Sequence, residues 1–340
     1  MVSADTTVGV VAIGRNEGAR LRRCLESVRE QCTSIVYVDS GSQDGSVEAA
    51  RALGVDVVEL DLAIPFTAAR ARNEGLRRLR ELHPATALVQ FVDGDCELVR
   101  GWIEAARSSL LAAPDIAVVC GRRRERFRDA TVFNRLCDLE WDTPVGPAEA
   151  CGGDALMRVA ALEQVGGFDA SLIAGEEPDL CLRLRKAGFS ILRIAGDMTL
   201  HDAAMTRPSQ WWRRTIRSGF ASAQAVARYG SAAREGDRRC VRSAFVWTVV
   251  LPALALAAVL FAWMRVSLDA AWLVAGLVVA GLCAQVARIA LRKPARGAGP
   301  ADAWLYACSC MAGKLPEAVG MLRYLVVRVR GLAPRLIEYK

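Results

Sequence analysis

Short apolar runs alternate with helical periods through the first two-thirds of the chain. Residues 8–13 and 34–39 are β-branched runs of strand length, and 55–60, 87–92 and 116–120 repeat the pattern. Each run is largely apolar, as expected of a strand buried on both faces. Between them, residues 19–31, 46–53, 68–82 and 101–113 space apolar positions at the helical period. This alternation predicts an α/β domain with a parallel sheet covered on both sides. Farther on, 166–169 reads as a turn. Residues 176–187 read as a helix, with Pro178 near its start and Gly188 just past its end. Residues 190–194 are a strand candidate, 198–201 another, and 209–229 a long amphipathic helix.

The pattern changes at Ala244. Residues 244–264 hold no charged side chain, and crossing a bilayer takes ~20 residues. Residues 270–287 make a second span, and 265–269 the loop between. Arg234, Arg238, Arg239 and Arg242 precede the pair; Arg288, Arg292, Lys293 and Arg296 follow it. Basic flanks stay on the cytosolic side. The expectation is a multi-pass protein of the inner (cytoplasmic) membrane with its N-terminal domain in the cytosol. A buried helical hairpin is the alternative. Residues 315–337 mix a helical apolar stripe with arginines, the pattern of an interfacial amphipathic helix on anionic lipid. Residues 304–312 are expected as a re-entrant or interfacial piece, with a third crossing as the alternative. The division is thus a globular domain over 1–232 and an anchoring region over 233–340.

Composition sharpens this picture. The net charge of +7 over 340 residues is mild, and much of the excess flanks the apolar runs, which points to a membrane surface. Arg122–Arg123–Arg124 is the one tight basic cluster in the domain, so no nucleic-acid partner is expected. Eleven cysteines are scattered without a CxxC pair. That excludes a disulfide scaffold or a structural zinc site and suggests a reducing compartment. The first seven residues lack the basic start and apolar run of a secretory signal.

Candidate chemistry lies just after the strands, where open α/β sheets bind ligands. Gly14-Arg15-Asn16-Glu17 follows the first, Asp39 to Ser46 the second, and Asp93-Gly94-Asp95 the fourth. Turns favour Asp, Gly, Ser and Asn in any case, which explains one such turn better than three. Two carboxylates around a glycine can grip Mg²⁺ or Mn²⁺, whose shell is completed by water and substrate phosphates.

With these stations in order, the chain resembles family 2 glycosyltransferases of the nucleotide-diphospho-sugar transferase fold, an A-type, Rossmann-like mixed sheet. The resemblance rests on Val10 to Glu17, Val38 to Gly45, Ala71-Arg-Asn-Glu-Gly75, Phe91 to Asp95, Val165 to Asp169 and Gly175 to Gly188. It implies an inverting, metal-dependent transfer of a sugar from a nucleotide-diphospho-sugar to an acceptor hydroxyl. A lipid-linked acceptor and a place in cell-envelope glycolipid or polysaccharide synthesis fit the membrane region. Asp39, with Asp44 nearby, is expected at the base or ribose, and Arg15, Asn16, Glu17, Arg72 and Asn73 around the nucleotide. Asp95 is expected to bind the metal, supported by Asp93, with His201 as a third ligand. Cys151-Gly-Gly-Asp154 matches a station touching donor sugar or acceptor, through Asp154.

Glu176-Glu177 stands where the family carries its acidic pair, and Glu177 is the expected base. The usual residue there is aspartate; the extra methylene of Glu177 shifts the reacting oxygen and calls for compensation. Asp179 is the runner-up. Ser40 stands where a second aspartate is usual, which leaves the base open. Gln210 and Arg213 keep the spacing of the family's Gln-x-x-Arg-Trp element, but Arg214 replaces its tryptophan, which speaks against a processive synthase. Two other functions remain: a nucleotidyltransferase of the same fold, disfavoured by the acidic first turn, and an inactive sugar-binding or scaffold protein in the membrane. A nucleotide-sugar hydrolysis assay separates enzyme from scaffold.

Overall fold

The computed structural model describes residues 7–292 and 299–332. The opening hexapeptide, Lys293 and Arg296 of the expected basic flank, and residues 333–337 of the expected amphipathic helix lie outside the described residues. The chain divides into two compact units. The first takes in the chain up to Arg128 and Trp141–Ala204; the second takes in Asp129–Glu140 and everything from Met205 onward.

The strands are β1 (Thr7–Gly14), β2 (Ile35–Asp39), β3 (Asp56–Glu59), β4 (Thr86–Asp93), β5 (Cys96–Leu98), β6 (Ile116–Glu125), β7 (Gly146–Pro147), β8 (Ala155–Arg158) and β9 (Ser190–His201). They form one mixed sheet in the first unit, ordered β3-β2-β1-β4-β8-β6-β9-β5, with β7 against β9. β1 to β4 pair in parallel, as the buried runs predict. The sheet is not parallel throughout: β8 runs antiparallel between β4 and β6, and β5 antiparallel to β9. β9 is one strand where the sequence suggests two, and β6 continues past Cys120 to Glu125.

Helices α1 (Ala19–Arg29), α2 (Ser46–Ala52), α3 (Ala68–Leu82), α4 (Trp102–Ala112), α5 (Val132–Trp141), α6 (Val159–Gln164) and α7 (Glu176–Lys186) lie between these strands in the chain. A Cβ on Gly75 would fall 2.3 Å from Val11 and 2.8 Å from Val38. The glycine therefore lets α3 lie directly on β1 and β2, which fixes the height of Arg72 above the sheet.

The second unit is helical: α8 (Pro208–Tyr229), α9 (Glu235–Phe245), α10 (Leu251–Arg265), α11 (Leu268–Arg292), α12 (Pro300–Ala312) and α13 (Lys314–Val329). α8 crosses α13 with backbones touching. A Cβ on Gly219 would lie 2.2 Å from the Glu317 carbonyl oxygen, and one on Gly320 would lie 2.1 Å from that of Ile216. Phe220 and Tyr324 meet edge to face at 5.4 Å beside this crossing.

α9 and α10 join through one wide turn at Val246–Val250, just before Pro252. Proline has no N–H for the carbonyl four residues back, and the wide turn absorbs the break. Glu235–Arg265 and Leu268–Arg292 are both long and apolar enough to cross a membrane, and only 6% of each apolar window is buried. Phe261, Trp263, Trp272 and Leu273 are all exposed. A helix apolar all round and uncovered by protein is not the core helix of a soluble domain. The Trp304–Ala312 segment forms most of α12.

Candidate active site

Register brings the three polar turns to one edge of the sheet. Gly14 stands opposite Asp39, and Ile13 opposite Asp93. The Gly94 N–H donates to the Ile13 carbonyl at 2.7 Å, and the Ser40 N–H to that of Gly14 at 3.1 Å.

The first two turns hold each other. Asn16 adopts φ 55°, a left-handed conformation that asparagine tolerates. Its N–H donates to Ser42 Oγ and its Oδ1 accepts from the Gln43 N–H, both at 2.8 Å. Buried Asp39 accepts from the Tyr37 hydroxyl, the Gly41 and Ser42 N–H groups and the Ser42 hydroxyl, at 2.5–2.8 Å. A carboxylate has about four acceptor positions, so Asp39 is fully engaged in shaping its own turn. Asp44 accepts from the Ser46 N–H and hydroxyl at 3.1 and 2.6 Å, starting α2. Glu17 pairs with Arg20 at 2.8 Å, and Arg15 is exposed at the turn.

Arg72 is the hub of a buried charge network. Its guanidinium donates to Glu176 Oε1 and Asp93 Oδ1, each at 2.8 Å, and lies over the Phe168 ring. Burial pulls its pKa down, but Asp93 and Glu176 outweigh this, so the net direction is upward. Arg123 reaches Asp154 at 2.8 Å and Asp93 at 3.3 Å. Asp154 is wholly buried and also accepts from the Asp93 N–H and the Thr199 hydroxyl. Asn73 is placed differently from a ligand-facing side chain: it grips both backbone groups of Phe168, at 2.7 and 2.9 Å.

β5 pairs with the end of β9 so that Cys96 stands opposite His201. This brings Asp95 Oδ2 to 3.2 Å from His201 Nε2, both side chains buried. His201 Nδ1 faces Glu125 Oε2 at 3.4 Å, and its ring meets Trp141 edge to face at 4.6 Å. Burial holds the imidazole below its ordinary pKa, against the pull of Glu125. Carboxylate oxygen suits Mn²⁺ or Mg²⁺, and neutral imidazole is a borderline partner for Mn²⁺. The ligand atoms of Asp95, His201 and Cys96 lie within 4.8 Å of one another. The donor set therefore fits a divalent cation.

α7 opens on Gly175 at φ 79°, and the first turn carries Glu176, Glu177 and Asp179, all buried. Asp179 is tied to Arg183 at 2.8 Å. Glu177 Oε1 accepts from the Cys151 N–H and from the Cys181 thiol, the latter at 3.0 Å. In the second unit, Gln210 caps α8 by accepting from the Thr206 and Arg207 N–H groups at 2.8 and 2.9 Å, and Arg213 is exposed on the same helix.

Residues 10–145 match the description "Glycosyl transferase family 2". Over that stretch the chain is similar to family 2 glycosyl transferases. The chain is 29% identical over 234 residues to a pre-mycofactocin glycosyltransferase of Mycobacterium tuberculosis, a match covering 65% of this chain and 48% of the relative. It thus spans about half the length of that relative. It is 24% identical over 233 residues to a glycosyltransferase of Haloferax volcanii, covering 65% of this chain and 73% of that one. Among solved structures, it shares its fold with a mannosyltransferase from Pyrobaculum calidifontis in complex with GDP-Man and Mn²⁺. The identity there is 22% and the TM-score 0.62, over 95% of this chain and 88% of the other.

Sequence reasoning missed four residues of this site: Arg123, Glu125, Trp141 and Cys181. Arg123 was visible only as part of a basic cluster. Its role follows from β6 running on to Glu125, which turns Arg123 toward Asp93 and Asp154.

Proposed function

We propose that the glycosyltransferase is an inverting, divalent-metal-dependent enzyme. It transfers a sugar from a nucleotide-diphospho-sugar to the hydroxyl of a lipid-linked acceptor, in the cytosol at the inner membrane. The observation that carries this reading is the buried Asp95–His201 pair on the sheet edge that also holds the Asp93–Arg72–Glu176 network. Asp95 and His201, with Asp93 in support, would hold Mg²⁺ or Mn²⁺, and the bound ion would neutralise charge on the donor diphosphate. Arg15, Asn16, Glu17 and the Asp39–Asp44 turn would line the nucleotide pocket. Asp154 would orient Asp93 from beneath.

Glu177 is the base in this reading. Glu176 is spent on Arg72 and Asp179 on Arg183, whereas Glu177 Oε2 has no hydrogen-bond partner among the described residues. Oε2 would take the proton of the acceptor hydroxyl as its oxygen attacks the anomeric carbon on the face opposite the departing diphosphate. The N-terminal end of α7 favours the ionised form.

The two exposed apolar helices and their arginine flanks support membrane anchoring. On α13, Leu315, Leu322, Leu325, Val326 and Val329 are exposed along with Arg323 and Arg328. That combination suits a helix lying on an anionic leaflet.

The test is a panel of UDP-, GDP- and dTDP-sugars offered to the full chain in detergent with Mn²⁺, with nucleoside diphosphate release as the readout. One donor should turn over, excess chelator and Asp95→Ala should abolish it, and Glu177→Gln should lower kcat by ~10²–10⁴-fold without weakening donor binding. Turnover that survives chelation refutes the metal role; no binding of any donor favours the scaffold reading.

A further inference from the structure

The glutamate at position 177 is one methylene longer than the aspartate usual in the family, and the structure shows where that methylene goes. Glu177 Oε1 is turned back toward the loop before β8. There it accepts from the Cys151 N–H and, one helical turn on, from the Cys181 thiol at 3.0 Å. The Cys181 sulfur also lies 3.8 Å from that of Cys151. Both cysteines are fully buried, and the glutamate is nearly so. Oε2 has no hydrogen-bond partner among the described residues.

A carboxylate on a two-carbon stem has one more rotor than aspartate, and each unfixed rotor spreads the reacting oxygen over several positions. Two donors on one oxygen remove that spread. One donor is backbone and cannot be lost by mutation; the other is a thiol that shares the α7 face with Glu177 at four-residue spacing. We propose that Cys181 is a positioning residue for Glu177, whose S–H bond to Oε1 clamps the longer side chain so that Oε2 alone faces the acceptor.

This rests on Glu177 as base for its catalytic consequence, but not for the bond itself. Burial pushes Cys181 up to about 11 and Cys151 well above the ordinary thiol value, so both remain protonated donors at neutral pH. Among the described residues, Cys120 on β6, also raised by burial, interacts with this cluster and has Arg193 near it. With Glu177 ionised, the Cys181 proton has one strongly attractive acceptor within reach, because hydrogen bonds to charged groups outweigh neutral ones.

The experiment has two arms on the full chain in detergent. In the first, the infrared S–H stretching band of Cys181 is isolated as the wild-type minus Cys181→Ala difference. A band at lower frequency than a free thiol, which moves up in Glu177→Gln, is the expected result. A free-thiol band indifferent to Glu177→Gln overturns the clamp.

In the second arm, turnover is measured on the donor found in the nucleotide-sugar panel. Cys181→Ala should lower kcat about tenfold, the worth of one charge-assisted hydrogen bond, with KM unchanged. Cys181→Ser, nearly isosteric and still a donor, should restore most of the rate. Equal losses in the alanine and serine variants would show a packing effect and overturn the proposal. If Glu177→Gln keeps near-normal turnover, the base assignment fails while the infrared arm still judges the clamp.

Discussion

Replacing Arg72 by methionine keeps the stem's volume over Phe168 and removes the charge between Asp93 and Glu176. Taking one partner from a buried ion pair costs ~3–5 kcal/mol, because the other is left charged and unpaired. Asp93 is 29% exposed and still has Arg123 at 3.3 Å, so the lower end of that range, ~3 kcal/mol, is the expected cost. For a unit of this size each kcal/mol lowers Tm by ~2–4 °C, which gives a drop of roughly 6–12 °C. The assay is thermal unfolding of the full chain in detergent followed by near-ultraviolet circular dichroism. That signal reports tertiary packing around buried Trp102 and partly buried Trp141 in the first unit and is insensitive to helices that persist in the micelle. Adding Glu176→Gln should recover ~1 kcal/mol or more, since the stranded charge is then gone. A single variant within ~2 °C of wild type, or a double variant less stable than the single, would refute the account of Arg72 as the buried hub.

Three further outcomes follow. Asn73→Ala loses both hydrogen bonds to the Phe168 backbone and should cost ~1–3 kcal/mol by thermal unfolding; unchanged stability would return Asn73 to the nucleotide pocket. Arg78 holds Asp56 through paired 2.8 Å bonds and keeps its carboxyl below the ordinary value. That stability is complete above the unfolded value and is lost as pH falls through the folded one. Arg78→Met should therefore lower stability slightly at pH 7 and have no effect near pH ~2, a window that urea titrations can follow. Finally, cysteine placed at Ser267 should react with an impermeant thiol reagent outside intact cells, and cysteine at Ser42 should not; labelling at Ser42 would invert the proposed topology.

Elements buried on both faces were readable from sequence because a continuous apolar run has few other uses. β1, β2 and β4 appear as such runs, and their turns carry the carboxylates. The direction of a strand leaves no mark on its period, so antiparallel β8, only four residues long, was invisible, as was three-residue β5. β6 vanished from view at Arg122–Arg124 because charged side chains read as loop. In the fold they meet Asp142, Asp154 and Asp197. Residues 195–197 fall between the two strand candidates, yet β9 continues through them with a shift of register against β6. α5 did carry a signal that went unused: the Thr131 hydroxyl accepts from the Asn134 N–H and caps it. In the site, acidic residues stand out by type, whereas Glu125 and Cys181 gain their roles only through register and helix spacing. Asn73 was assigned to the ligand by its neighbours in sequence, and the structure gives it to the Phe168 backbone.

The glycine crossing of α8 and α13 also sets an order of events. Gly219 and Gly320 are about a hundred residues apart in the chain, and both apolar helices emerge between them. While the protein is being synthesised, the groove on α8 must stay bare until α13 leaves the ribosome, after both apolar helices have been made. α13 then seals the second unit as a late latch. A nascent chain stalled before Lys314 should hold a protease-sensitive α8, and the completed chain a protected one.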